Sequence, residues 1–188
     1  MTDARGMTLI EMMIAMVILG IMGIALVGFL RAQHQTIVRQ NDGVLATQNA
    51  RAAVDMLTRE LRNAGFNPRK VAGGGRLSTI KADSVSWTAD MNADGDTLDT
   101  SAGKWDEQVA FYKAGHKLFR ASGGGAGNEL TDGVDSLRFT YFDGTGAVTA
   151  TASAVEQVRV RLYYSTPAGV QRGMIESQVA LRNHIFAN

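Results

Sequence analysis

The chain has no cysteine, so no disulfide bond can hold the fold together and no thiol can serve as a nucleophile or a metal ligand. Proline occurs twice against 21 glycines, which predicts flexible loops rather than stiff linkers. An excess of one charge is also missing, because 19 basic and 18 acidic residues leave a net charge of +1. That balance gives no field to recruit nucleic acid, and we expect no nucleic-acid partner.

Charge is absent altogether from residues 12–30, which are apolar side chains and glycines without a proline. As a helix rising about 1.5 Å per residue, this run reaches roughly 28 Å, close to the thickness of a bilayer hydrocarbon core. It is too long for the apolar part of a secretory signal, and no small-residue cleavage site follows it. We therefore predict that the run stays on the mature protein as a membrane-spanning helix.

One acid, Glu11, lies at the head of this run, between the apolar residues 7–10 and 12–30. An unpaired carboxylate in that position costs a few kcal/mol, so it requires a partner or a route to water. The small residue that a peptidase would need, Gly6, stands before the apolar run rather than after it. The pattern is therefore typical of a leader that is cut ahead of its apolar segment.

These features lie in one short segment, which reads Gly6, Met7, Thr8, Leu9, Ile10 and Glu11. The segment resembles the class III leader of type IV pilins and type II secretion pseudopilins. That resemblance implies cleavage between Gly6 and Met7, N-methylation of Met7, and a role for Glu11 in assembly. Met7 departs from the phenylalanine most common at the first mature position. The plainer alternative is a single-pass anchor with an acid near the interface, which requires neither Gly6 nor Glu11 at these spacings.

The resemblance also implies partners and a location. The leader, residues 1–6, is expected in the cytoplasm with the prepilin peptidase, and residues 7–30 in the inner membrane as a single span. The rest of the chain is expected outside the cytoplasm and later in a pilus or pseudopilus fibre. The implied partners are other pilins, which pack through the N-terminal helix, and the inner-membrane assembly platform. No enzymatic activity is expected.

Residues 31–65 are predicted to continue the helix as an amphipathic segment. Apolar residues recur near the helical period, sparsely before Val44 and fully after Ala50, so the second half should pack on a globular core. Gly65 suits the left-handed residue that follows a helix, and Pro68 cannot continue one.

After Pro68 the apolar period changes from helical to alternating, which predicts β-strands. In one segment Val158, Val160 and Leu162 share a face, and in another Leu137, Phe139 and Tyr141 do. The predicted strands are residues 85–87, 108–112, 117–120, 137–142, 157–164 and 175–181. Residues 66–188 thus form an antiparallel β domain with one covered face, and the long helix is the element that covers it. The fold class is α+β, the pilin-like architecture.

A finer resemblance, to PilW-type minor pilins, rests on the helix end at residues 57–66, the Asp/Asn/Gly loop at residues 90–99 and the closing Leu181-Arg182-Asn183. It implies a minor pilin that takes part in pilus assembly or initiation. A J-type pseudopilin of a type II secretion system shares the same helix-end pattern and is the main alternative. A membrane-anchored periplasmic enzyme or binding domain is a third possible class of function, and no residues in the sequence support it.

One loop is chemically distinctive, because oxygen-bearing side chains alternate at Asp90, Asn92 and Asp94 and are followed by Gly95. This spacing matches the first half of an EF-hand-type loop, and a hard cation such as Ca²⁺ takes six to eight oxygens. The second half does not match, so Asp96 and Asp99 could serve as ligands only in a different geometry. The alternative is a polar turn between strands, since Asp, Asn and Gly also form turns. Calcium is the one cofactor that the sequence indicates.

Overall fold

A computed structural model of the protein describes residues 7–70, 77–95, 97, 107–166, 169 and 171–181. In these residues a long helix, α1 (Leu9–Leu61), is followed by eight β-strands and a short 3-10 helix (Ala152–Ala154). The chain divides into two compact units, Met1–Asp42 and Gly43–Asn188, so the division falls inside α1.

In the first unit, α1 presents apolar side chains without covering them. Of the large apolar residues up to Leu30, Leu9 is 79% exposed and even Val27, the most covered, is 48% exposed. The described residues contain one helix that is long and apolar enough to cross a membrane, and its most apolar stretch is entirely unburied. This part of α1 therefore lacks the neighbours that apolar surface requires in water.

In the second unit, α1 buries a stripe at helical spacing. The stripe consists of Ala50, Ala53, Val54, Leu57 and Leu61. The sequence predicted that the helix packs on the core only in its later part. This is confirmed, because Val44 and Leu45 are each 55% exposed whereas the stripe from Ala50 onward is buried. After α1, Gly65 has a φ of +80°, the predicted left-handed conformation, and its N–H donates to Thr88 O at 3.2 Å.

The strands form two antiparallel sheets, where the sequence had predicted one. The first sheet runs in chain order: β1 (Leu77–Ile80), β2 (Ser84–Thr88), β3 (Gln108–Ala114), β4 (Lys117–Ser122) and β5 (Asn128–Thr131). The second contains β6 (Val134–Phe142), β7 (Gln157–Ser165) and β8 (Arg172–Ala180). All six predicted strands are confirmed. β1 and β5 were missed because four residues are too few to establish an alternating pattern.

The core lies among the buried stripe of α1 and the inner faces of both sheets. Trp87 and Phe111 stack within it with ring centroids 5.6 Å apart. The predicted inward residues are confirmed: Leu137, Phe139 and Tyr141 are at most 5% exposed, and Val158, Val160 and Leu162 are fully buried. An ion pair joins α1 to the first sheet, since Arg120 Nε lies 2.9 Å from both carboxylate oxygens of Glu60.

The chain passes from the first sheet to the second at Gly133, between β5 and β6. Gly133 has a φ of +67°, and a Cβ there would lie 2.6 Å from Ser165 O. Its carbonyl accepts the N–H of Ser165 at 2.9 Å, so the backbones are held close together. Only glycine fits this approach without strain.

We predict that Gly133→Ala lowers the free energy of unfolding by about 2–4 kcal/mol, because strain of the left-handed backbone adds to the clash with Ser165 O. Gly146→Ala is the matched control, since Gly146 has a φ of +84° and no atom near its missing Cβ. It should cost about 1–2 kcal/mol. Urea unfolding of the detergent-solubilised chain, followed by near-ultraviolet circular dichroism, measures both. Equal losses would contradict the close approach.

A second constraint links β6 to the turn between β1 and β2. The hydroxyl of Tyr141 lies 2.9 Å from Lys81 O and 3.2 Å from Ser84 O, to which it donates. Burial, aided by the nearby Asp83 carboxylate, raises the pKa of Tyr141 well above its ordinary value.

We predict that Tyr141→Phe costs about 1 kcal/mol at neutral pH, through loss of the hydrogen bond. The difference between wild type and variant should shrink as the pH rises above about 10, because the unfolded tyrosine then ionises while the folded one keeps its proton. Urea unfolding of both proteins at pH 7 and pH 11 measures the difference. A constant difference across that range would contradict the raised pKa.

Candidate functional site

The N-terminal site is built on the first turn of α1. Thr8 precedes the helix, and its backbone N–H and its hydroxyl both donate to Glu11 Oε2 at 2.9 Å. In return the N–H of Glu11 donates to Thr8 Oγ1 at 3.4 Å. This reciprocal pair is a capping box, in which a Thr and a Glu three residues later satisfy N–H groups that the helix leaves unbonded.

The capping box gives Glu11 a partner within its own helix. The sequence indicated a partner or a route to water without identifying Thr8, although the Thr-x-x-Glu spacing was readable at Thr8 and Glu11. Met7, the residue predicted to be methylated, is 67% exposed directly before Thr8. Gly6, on the other side of the predicted cleavage, lies outside the described residues.

A second group of polar residues lies between β2 and β3. Asp90, Asp94 and Glu107 each place a carboxylate oxygen within 4.8 Å of the other two. Asp90 and Glu107 are only 1% exposed, whereas Asp94 is exposed. Three acids around one point, two of them buried, form an arrangement that can hold a cation.

Backbone hydrogen bonds position the two buried acids. The N–H of Asp90 donates to Phe66 O at 2.7 Å, just after the end of α1. The carbonyl of Glu107 accepts the N–H of Ala89 at 2.9 Å, which extends the pairing of β2 with β3 by one step. The cluster therefore rests on ordered backbone at three places: the exit of α1, the end of β2 and the start of β3.

The side chains of the cluster also organise the loop that carries them. Glu107 Oε1 accepts the N–H groups of Met91 and Asn92 at 3.0 and 3.4 Å. Asp90 Oδ2 accepts the N–H of Gly95 at 3.2 Å, and Gly95 has a φ of +99°, a conformation that favours glycine. The buried acids thus accept loop N–H groups that would otherwise need water.

The structure brings together two of the predicted cation ligands, Asp90 and Asp94. Asn92 is engaged differently, because its Oδ1 accepts the N–H of Asp94 and its Nδ2 donates to Asp94 Oδ2. Asp96 and Asp99 lie outside the described residues, so their predicted role stays a prediction. Glu107 was missed, since it stands 17 positions beyond Asp90 at the start of the next strand and fits no loop spacing.

Comparison with known proteins bears on both parts of the chain. Residues 1–27 match the family model for the prokaryotic N-terminal methylation motif. The structure is similar to that of a type IV-like pilin from Thermus thermophilus, with a TM-score of 0.50 and 16% sequence identity. The similarity covers 73% of this chain and 97% of the Thermus chain. No curated protein sequence matches the chain.

These findings fix the fold and the nature of the N-terminus. The long helix followed by antiparallel sheets is the fold of a type IV pilin, as predicted. The matched motif contains Thr8 and Glu11 and ends within the exposed apolar part of α1. The chain therefore has a type IV pilin-like fold, and its N-terminus matches the prokaryotic N-terminal methylation motif.

Proposed function

We propose that this chain is a minor pilin of the PilW type, a non-enzymatic subunit that takes part in the assembly or initiation of a type IV pilus. One observation carries the proposal: a methylation motif leads directly into an exposed apolar helix on a protein with a pilin-like fold. Before assembly that apolar surface is covered by membrane lipid, and in the filament it is covered by the helices of other pilins. The partners are therefore other pilins, the prepilin peptidase and the inner-membrane assembly platform.

Assembly begins with cleavage after Gly6, which frees the amine of Met7 for methylation. The new N-terminal amine is a cation near neutral pH. Glu11 of one subunit then pairs with the N-terminal amine of a neighbour, and the apolar helices bundle. Packing of the helices supplies the energy, whereas the charge pair sets the register, which is the best-attested use of a buried charge.

The capping box adds a step to this account. Before assembly the carboxylate of Glu11 accepts hydrogen bonds from Thr8 of its own chain. That arrangement keeps a charged group satisfied at the head of an apolar helix until another subunit arrives. The acid thus has a role in the lone subunit as well as in the filament.

We predict that processing removes residues 1–6 and adds one methyl group to the amine of Met7. The measurement is the intact mass of the protein extracted from membranes of cells with and without prepilin peptidase. The shift should appear only with the peptidase present. An unchanged mass in both strains would refute the proposed function and leave an anchored domain as the alternative.

A second prediction separates the two roles of Glu11. Glu11→Gln keeps an acceptor suited to a capping box but removes the charge, whereas Thr8→Val removes the cap and keeps the charge. If the charge pair sets the register of assembly, Glu11→Gln should reduce the amount of subunit in sheared filaments about tenfold or more, the loss expected from one charge-assisted hydrogen bond. Thr8→Val should assemble nearly as well as the wild type.

Intact mass and membrane abundance serve as controls, because each variant must be processed and folded for the comparison to hold. The reverse result, with Glu11→Gln assembling normally and Thr8→Val failing, would assign Glu11 to helix capping alone.

A J-type pseudopilin is the alternative function. It would be processed and would assemble through its N-terminal helix in the same way, but it would belong to a type II secretion system rather than to a type IV pilus. Deletion of the gene distinguishes the two, because loss of pili supports the minor pilin and loss of protein secretion supports the pseudopilin.

A further inference from the structure

The second sheet has one face on the core and one outer face, and the outer face is rich in arginine. The inward residues of β7 are fully buried, so Arg159 and Arg161, which alternate with them, lie on the outer face. Residues directly opposite each other on neighbouring strands share a face. The strand register therefore places Arg138 of β6 and Arg172 of β8 on the outer face as well. We call these four residues the arginine face.

One acid in the middle of the arginine face is shared between two of its members. Arg161 lies between Arg138 and Glu176 in the register, and its Nε donates to the Glu176 carboxylate. The other carboxylate oxygen of Glu176 lies 3.7 Å from Nε of Arg159. A single carboxylate thus compensates Arg159 and Arg161 together.

The remaining two arginines have no such partner. Among the residues that the structure describes, the guanidinium groups of Arg138 and Arg172 make no hydrogen bond or ion pair, and both residues are exposed. Arg138 lies directly opposite Arg161, and like charges in that position repel each other. A second acid, Asp135, lies near the start of β6 and accepts the hydroxyl of Ser165 at 2.9 Å. Four arginines against two carboxylates leave an excess of positive charge on this face.

The spacing of the two exposed arginines limits what can bind them. Arg138 and Arg172 are two strands apart and four positions apart along the strands, which separates them by roughly 17 Å. One small anion such as phosphate cannot contact both. A ligand that engages them together presents several acidic groups spread over a surface.

The other outward side chains favour a protein as that ligand. Tyr163 and Met174 lie opposite each other on the same face, and Met174 is 50% exposed. The guanidinium of Arg159 lies over the ring of Phe142, 4.8 Å from its centre. Arginine, tyrosine, phenylalanine and methionine are the residues enriched where proteins meet.

Two observations speak against a nucleic acid. Glu176 interrupts the positive charge in the middle of the face, where a continuous phosphate backbone would be repelled. The whole chain carries a net charge of only +1, whereas nucleic-acid-binding domains are strongly basic. Patches of mixed sign are instead what gives specificity between two proteins.

We propose that the arginine face docks an acidic surface of another protein. Carboxylates of the partner pair with Arg138 and Arg172, while Tyr163 and Met174 supply apolar contact beside them. Three strands of nine residues give a face of roughly 15 by 30 Å, about half of what each partner contributes to a standard interface. The contact is therefore expected to be weak and sensitive to salt. This inference does not rest on the proposed function.

The test uses the full chain in an uncharged detergent, with labelled poly-L-glutamate as the acidic polypeptide and an oligothymidylate of equal charge as the nucleic acid. Fluorescence anisotropy should show that poly-L-glutamate binds more tightly than the oligothymidylate in about 50 mM NaCl. Binding should weaken several-fold in about 300 mM NaCl, because the added salt screens exposed charges.

The double variant Arg138→Gln with Arg172→Gln should weaken binding of poly-L-glutamate about fivefold or more, through loss of two exposed charge pairs. Replacing both by lysine keeps the charges and should keep most of the binding. The matched control is Arg51→Gln with Arg59→Gln, which removes two exposed arginines from α1 in the same compact unit. It should bind almost as well as the wild type. Near-ultraviolet circular dichroism checks that each variant is folded.

Three outcomes would overturn the proposal. Absence of binding by the wild type in low salt would mean that the face does not attract an acidic polypeptide. An equal loss in the α1 control would reduce the effect to the net charge of the chain. Tighter binding of the oligothymidylate would assign the face to a nucleic acid. None of these results bears on cleavage and methylation at Met7, so the two proposals stand or fall separately.

Discussion

The β domain depends on burial of one stripe of α1, the residues from Ala50 to Leu61 that face the core. Leu57 and Leu61 are fully buried there, and each such side chain contributes about 1.5–3 kcal/mol relative to exposure. The stripe supplies apolar surface to a core shared by both sheets. Without it part of this shared core would meet water. The helix is therefore part of the domain, and the compact unit accordingly begins at Gly43 inside α1.

The same helix leaves its other apolar surface open in the lone chain. From Leu9 to Leu30 the large apolar residues are about half exposed or more, and no contact described within the chain covers them. A surface of that size is stable only in lipid or against other helices. The second part of α1 thus stabilises the β domain, whereas the first part requires lipid or other helices around it. Folding of the domain and assembly of the subunit can therefore be separate events.

The acidic residues have different surroundings at the N-terminal site and in the cluster between β2 and β3. Glu11 accepts hydrogen bonds from its own helix terminus, so its charge is satisfied locally and stays available for exchange. Asp90 and Glu107 are buried together, and their carboxylates accept N–H groups of the loop that follows β2. The first arrangement suits a partner that arrives during assembly, and the second holds the backbone of residues 91–95 in place.

The sequence by itself determined the elements whose signals are local. The uncharged run of residues 12–30, the Gly6–Glu11 motif, the left-handed Gly65 and the alternation in β6 and β7 are all readable without long-range information, because each depends on neighbours in the chain. The α+β class follows from that succession. The Thr8–Glu11 capping box was also readable, since its two members lie one helical turn apart.

Only the tertiary structure decided how the strands divide and which acids meet. The chain passes from one sheet to the other at Gly133, where the backbone contacts Ser165, 32 positions away. No local sequence pattern predicts that contact. Glu107 joins Asp90 because β2 pairs with β3, so its place in the cluster follows from strand register rather than from loop spacing. Contacts between residues distant in sequence arise from packing, and one sequence read alone carries no direct record of them.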